Sequence, residues 1–286
     1  MSRPSAVATR RAARAARART LLTERPHTEP LLQFYVSLLD LQAAVCDSGD
    51  AARWLPDVEA PASERPRLQL ERLPIDGLSP RFRRFCQGLP ASAPEPIRVA
   101  ARAVSDGDSA RRTELLLALL TGGDFDAGAV AFGSEPVPLA FLARGFLSPV
   151  AEALAELVDI PGNAERLPLC PCCGWPPQVS LLRDETETQG IRRLVCAFCA
   201  ASWVFPRSAC PGCSTTDEKG LALHVGDTTP HVRVEACSHC NRYLKSVDLR
   251  VVGFAEPLVD DLATPELDLW AEEQGLDKIT PNLLGL

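Results

Sequence analysis

Four pairs of cysteines, Cys170/Cys173, Cys196/Cys199, Cys210/Cys213 and Cys237/Cys240, each enclose two residues, and the intervals between successive pairs are 22, 10 and 23 residues. Two intervening residues let one tight turn aim both sulfurs at a single ion. Two such turns complete a tetrahedron of thiolates at metal–sulfur distances of about 2.3 Å. The spacing predicts two tetrathiolate sites, the first from Cys170, Cys173, Cys196 and Cys199 and the second from Cys210, Cys213, Cys237 and Cys240. Such a donor set suits Zn2+ or a single iron ion, and the spacing does not choose between them. Disulfides and redox-active dithiols are the competing readings, and four regularly spaced pairs argue against both.

Cys172 lies inside the first pair. It reads as a bystander ahead of a substitute ligand or a reactive thiol. Gly174 follows that pair where a turn calls for positive φ. Trp175 and Trp203 follow cysteine turns and are expected to pack over them, and His224, His231 and His239 are surplus to two complete ligand sets.

The elements that must hold these turns are legible from short β-prone runs. Gln178 to Leu182 and Ile191 to Val195 flank the polar stretch Arg183 to Gly190, and Leu221 to Val225 and His231 to Glu235 flank Gly226 to Pro230. Each copy predicts a two-stranded ribbon bracketed by cysteine turns, and the copies repeat at about forty residues. Upstream, apolar residues recur at helical spacing. Helices are expected over Leu31 to Leu41, around Phe82 to Leu89, from Pro96 through Val104, over Ser109 to Leu120, and as a pair over Leu139 to Leu147 and Val150 to Val158. Cys46 and Cys86 sit among apolar helical neighbours and read as core fillers. Downstream, Thr264 as cap, Pro265 in the first turn and Gly275 at the end frame one more helix.

A chain of 286 residues, 46% hydrophobic and 23% charged, can bury a sizeable core, and no uninterrupted apolar run approaches the length of a bilayer span. Direct membrane insertion is not expected. The first 23 residues carry Arg3, Arg10, Arg11, Arg14, Arg17 and Arg19 without the apolar stretch of an export signal. They read as a frayed tail or short solvated helix on a cytoplasmic protein.

Charge argues against a nucleic-acid role. Between Cys170 and Arg250 nine Lys/Arg face eight Asp/Glu, a net +1, and residues 251–286 carry one Lys against eight acids, a net −7. Two filled tetrathiolate sites would add about −4. Little basic surface remains to release counterions from a polyanion. No Gly-rich phosphate loop, HExxH or nucleophile elbow appears, and a site closed by four thiolates lacks the open position that hydrolytic zinc needs. A protein-recognition scaffold, or an electron carrier if the metal is iron, remains.

The stretches LCPCCGWPPQVS (169–180), GIRRLVCAFCAASWVFPRSACPGC (190–213), VEACSHCNRYLKSVDL (234–249) and VDDLATPELDLWAEEQG (259–275) resemble the bacterial formate dehydrogenase accessory proteins, FdhE. The resemblance implies an α+β protein: an all-α N-terminal domain, two tandem rubredoxin-like or zinc-ribbon metal modules and a C-terminal helix. It divides the chain into a disordered Arg/Ala-rich tail (1–27), a helical domain (28–168), two metal modules (169–208 and 209–250) and an acidic helical tail (251–286). The implied role is a non-enzymatic, cytoplasmic maturation factor that binds the catalytic subunit of respiratory formate dehydrogenase before export. The eight paired cysteines would be its ligands, with iron favoured over zinc. The chain departs from the pattern at Cys172 and in lacking glycine after three of the four cysteine pairs. Arg192, Arg193, Arg207, Arg242 and Lys245 are expected near the thiolates, screening their charge or touching a client.

Overall fold

The computed structural model describes residues 6–46, 48–160, 167–226 and 228–285. Arg3 of the N-terminal segment, residues 161–166 of the expected helical domain and Asp227 of the second expected turn lie outside the described residues.

The N-terminal segment is not a tail. Ala6–Glu24 form helix α1, for which alanine and arginine have high intrinsic propensity. Ala15, Ala18 and Leu21, three residues apart, pack with Leu32, Tyr35 and Leu39 of α2 (Glu29–Gln42) and with Val259 and Leu262 of the C-terminal segment. Arg14 and Arg17 of this segment, and Arg25 just after it, are buried and paired. Arg14 donates two bonds of 3.0 Å to Glu152, Arg17 reaches Asp260 at 2.6 Å, and Arg25 donates to the Ala263 carbonyl at 2.6 Å. Burial alone would raise Glu152, but Arg14 and Arg10 hold its carboxyl below the usual range.

The helices α3 (Ser48–Val58), α4 (Ile75–Gln87), α5 (Glu95–Asp106), α6 (Ser109–Thr121) and α7 (Asp126–Phe132) complete the surroundings of α8 (Pro136–Ala155). Phe82 and Phe85 of α4 lie 5.0 and 5.7 Å from Phe146 of α8. The expected break between two helices at Pro149 does not occur. Proline removes the N–H that would bond the carbonyl four residues earlier. Here Gln42 donates to that Gly145 carbonyl at 2.7 Å, so α8 continues. At 20 residues α8 is long and apolar enough to cross a membrane, yet most of it is buried against its neighbours.

The C-terminal half is built on a sheet of strands β1 (Pro177–Glu185), β2 (Thr188–Cys196), β3 (Ser202–Val204), β4 (Leu221–Val225), β5 (Val232–Cys237), β6 (Arg242–Asp248) and β7 (Asp277–Lys278). Its order is β3-β2-β1-β6-β5-β4, with β7 beside β6. The two expected ribbons are therefore β1/β2 and β4/β5, each extended by a third strand after its last cysteine turn. They form one continuous surface, because β1 and β6 pair in parallel with Val179 opposite Lys245 and Leu182 opposite Asp248. Residues 183–185 and 188–190, expected as a polar loop, lie within the β1/β2 ribbon. The apolar residues Val179, Val195, Val234 and Val247 pack with Leu267 and Ala271.

Two C-terminal helices, α9 (Pro257–Leu262) and α10 (Pro265–Glu273), close this face. Thr264 precedes α10 as expected, but its hydroxyl makes no cap bond; it donates to the Asp260 carbonyl at 2.9 Å. Lys245 of β6, expected near the thiolates, is instead wholly buried under these helices. Its ammonium lies 2.9 Å from Asp261 and 2.6 Å from Asp268, and Lys278 of β7 lies 2.9 Å from each of the same two carboxylates. Burial alone would raise Asp261, but the two lysines hold it down to about 2. A buried ion whose partner is removed costs about 3–5 kcal/mol. Lys245→Met is expected to lower stability at neutral pH by about that much, read as a lower urea midpoint of metal-loaded protein. Arg183→Met, which breaks a surface pair with Glu185, is expected to change it by under about 0.5 kcal/mol. Equal shifts for the two variants would remove Lys245 from its place as the fastener.

Candidate metal centres

Each cysteine turn is local, but each cluster requires two of them to meet. β1 and β2 carry the pairs 170/173 and 196/199 to one end of the first ribbon, and β4 and β5 bring 210/213 and 237/240 together at the second. Within each set the four sulfurs all lie within 4.8 Å of one another. The structure thus gathers all eight sequence-predicted residues into the two expected groups. Cys170 and Cys199 are 3.7 Å apart and Cys173 and Cys196 3.4 Å; Cys210 and Cys240, and Cys213 and Cys237, are each 3.8 Å apart. A tetrahedron with metal–sulfur bonds of about 2.3 Å has edges of about 3.8 Å. Both donor sets could therefore hold a tetrathiolate ion, zinc or iron.

The local backbone explains how the turns form without a full set of glycines. Residues Gly174, Ala200, Ser214 and Asn241 each follow the second cysteine of a pair, and all four have positive φ, at 79°, 54°, 61° and 52°. Three non-glycine residues thus occupy the left-handed region, at a cost of about 1 to 2 kcal/mol each. The turn then folds back so that Gly174 N–H bonds the Cys170 carbonyl at 2.9 Å and Ser214 N–H the Cys210 carbonyl at 2.8 Å. Amides inside the turns aim at sulfur, with Phe198 N–H 3.3 Å from Cys196 Sγ and Gly212 N–H 3.2 Å from Cys210 Sγ. Backbone donors of this kind favour the ionised thiolate.

Four close thiolates cannot all be ionised without a cation. Burial raises Cys170, but hydrogen bonds from the surrounding sulfurs pull it well below the ordinary thiol range, whereas burial and the hydrogen bonds with Cys170 and Cys196 push Cys173 well above it. The set shares protons, and filling it with a divalent ion would release them.

The two centres differ in their surroundings. All four sulfurs of the first are buried, and they belong to the same apolar core as Phe82, Leu116 and Phe146 of the helices. Backbone bonds reach it from the helical half, Leu68 N–H to the Cys172 carbonyl at 2.8 Å and Arg67 N–H to that of Pro171 at 3.1 Å. Trp175 and Phe198 stack at 4.4 Å beside it, and Trp203 donates to the Leu167 carbonyl at 2.8 Å. In the second centre Cys213 is exposed and Cys240 half-buried.

Sequence reasoning missed Arg144, a lone cation in the apolar run of α8. Its guanidinium donates to the Ala197 carbonyl between Cys196 and Cys199 at 2.9 Å and to that of Pro281 at 2.9 Å, and it lies 5.9 Å from the Trp175 ring. Burial lowers its pKa to about 10, against the charge of Cys196, so it stays cationic at neutral pH beside the first cluster. One cation in a largely apolar helix was the available signal. Cys172 is fully buried, and its hydrogen bond to Cys170 pushes its thiol up, the behaviour of a protonated neighbour rather than an exposed nucleophile. The histidines are engaged elsewhere: His224 stacks on Trp270 at 3.7 Å, His231 lies 2.9 Å from Asp260, and His239 lies 3.0 Å from Asp217. Arg193 bonds Ser202 and Glu185, and Arg192 bonds Glu235.

Residues 169–207 match the family model "FdhE, central domain" and residues 209–284 match "FdhE, C-terminal domain". The FdhE homolog of Pseudomonas aeruginosa is 30% identical over 266 residues, 88% of this chain and 82% of that protein. The homolog of Aquifex aeolicus is 33% identical over 147 residues, and that of Stutzerimonas stutzeri 40% over 116. Those two alignments span 52% and 38% of the relatives' own lengths. The crystal structure of the FdhE protein from Pseudomonas aeruginosa superposes with a TM-score of 0.69 at 25% identity, covering 99% of this chain and 97% of that one.

The contrast in exposure sets an order of metal loss. With both sites filled, a chelator is expected to remove one equivalent quickly, from Cys210/Cys213/Cys237/Cys240, and the other slowly. Cys213→Ser should abolish the fast phase and leave the slow one. Loss of both ions in a single phase, or a fast phase surviving in Cys213→Ser, would contradict this assignment.

Proposed function

The chain belongs to the FdhE family, and on that premise we propose that it is an accessory protein in the maturation of respiratory formate dehydrogenase, binding the catalytic subunit in the cytoplasm before export. Family membership together with two sulfur clusters of tetrahedral dimensions carries this reading. In it the chain performs no catalysis of its own.

Cys170, Cys173, Cys196 and Cys199 hold one ion and Cys210, Cys213, Cys237 and Cys240 the other, with iron favoured over zinc. Each ion supplies folding free energy by clamping two turns, on the order of 10 kcal/mol for structural sites. Arg144 balances charge at the first centre and ties α8 to it. The first centre thus joins the helical half to the sheet, while the second, with Cys213 exposed, stands at a surface where a partner can approach. That exposure also favours a second reading: with iron bound, the outer centre could pass an electron to a docked protein, which zinc could not do.

A tagged formate dehydrogenase catalytic subunit is expected to capture the metal-loaded chain at physiological salt, and the chain is expected to restore formate dehydrogenase activity to a strain lacking its own accessory protein. Failure of both would remove the assembly reading. A zinc-only form that restores full activity would remove an obligatory electron-carrier role while leaving assembly intact.

A further inference from the structure

Beside the second cluster, against β4, β5 and the segment 207–211, lies a cavity of about 280 Å3 whose lining includes Cys210 and Cys237 of that cluster. Its wall carries four guanidiniums, Arg192, Arg207, Arg233 and Arg242, against two carboxylates, Glu218 and Glu235, with the second cluster adjoining. Arg192 is 4% exposed. It bonds Glu235 and donates to the Pro206 and Ala209 carbonyls at 3.1 and 3.0 Å, but its Nε is buried without a partner among the described residues. The Nε of Arg233 is buried and unpartnered in the same way. Such donors are costly to leave unmade. Arg207 and Arg242 are exposed and form no ion pair among the described residues.

Leu221, Leu223, Ala236 and Ile279 contribute apolar lining. Guanidinium forks match phosphate oxygens in pairs, two buried Nε donors lack partners, and apolar lining suits an organic group attached to the phosphate.

We propose that this cavity binds a small phosphate monoester, its dianion held by Arg192, Arg207, Arg233 and Arg242 and its organic part laid against Leu221, Leu223 and Ile279. The site is independent of the formate dehydrogenase reading and would stand if that reading failed.

Phenyl phosphate, a ring bearing one such dianion, is the probe. Calorimetry on the full metal-loaded chain at low salt is expected to show one saturable site, weakening as salt rises. Arg207→Ala and Arg242→Ala remove exposed side chains and should each weaken binding about tenfold or more, with metal content unchanged. Arg183→Ala, outside the cavity, should bind as the parent chain does. Benzoate, a monoanion on the same ring, should bind more weakly than phenyl phosphate, and a short acidic peptide should not displace it. Absence of saturable binding, parent-like affinity in both Arg207→Ala and Arg242→Ala, or preference for benzoate or the peptide would overturn the phosphate assignment. Should Arg242→Ala lose metal, Arg207→Ala, farther from the cysteines, decides alone.

Discussion

Eight sulfurs gathered four by four are the constraint around which the C-terminal half is arranged. In each set the sulfurs stand at tetrahedral-edge distances, closer than several thiolates tolerate without a counter-ion. The backbone accepts strain to achieve this, with Ala200, Ser214 and Asn241 left-handed where glycine would be relaxed. Strain repeated at equivalent positions of every turn indicates that the geometry, not the residue type, is what the fold preserves. A bound ion at each centre, as proposed, would offset that cost many times over.

The remaining architecture decides how far each centre's influence reaches. The first is embedded in the helical core and touched by α8 through Arg144, so the helical half and the first ribbon share one interior. The second is joined through the parallel pairing of β1 with β6 and through the buried Lys245, Lys278, Asp261 and Asp268 group beneath α9 and α10. Helix α1 and the residue after it then join the N-terminal segment to α9 and α10, with Arg17 meeting Asp260 and Arg25 meeting Glu266. The two ribbons are thus repeats in sequence but parts of one sheet in space.

The cysteine turns and their ribbons were legible because each is a local pattern: a spacing, a turn and two β-prone runs. Long-range pairing left weaker marks. Nothing local distinguishes Arg14 and Arg17, with carboxylate partners more than a hundred residues away, from solvated arginines, so α1 read as a tail. Leu139 to Leu147 and Val150 to Val158 read as two helices, whereas the Gln42 side chain of α2 bonds the carbonyl that Pro149 leaves without a donor and α8 runs on. Lys245 read as a neighbour of the thiolates because it lies five residues after Cys240, yet strand alternation carries it to the face covered by α9 and α10. In each case a distant residue satisfied a polar group that sequence alone left open.

The central claim, that ions at the sulfur clusters organise the C-terminal half, is tested most directly by hydrogen exchange on the full chain with and without metal. The account predicts that removing both ions strips protection from amides of β4, β5 and the turns at 210–213 and 237–240. It also predicts weaker protection in β1 and β2, while the core of α4 and α8 remains slow. Unchanged protection across 169–250 in the metal-free chain would contradict it.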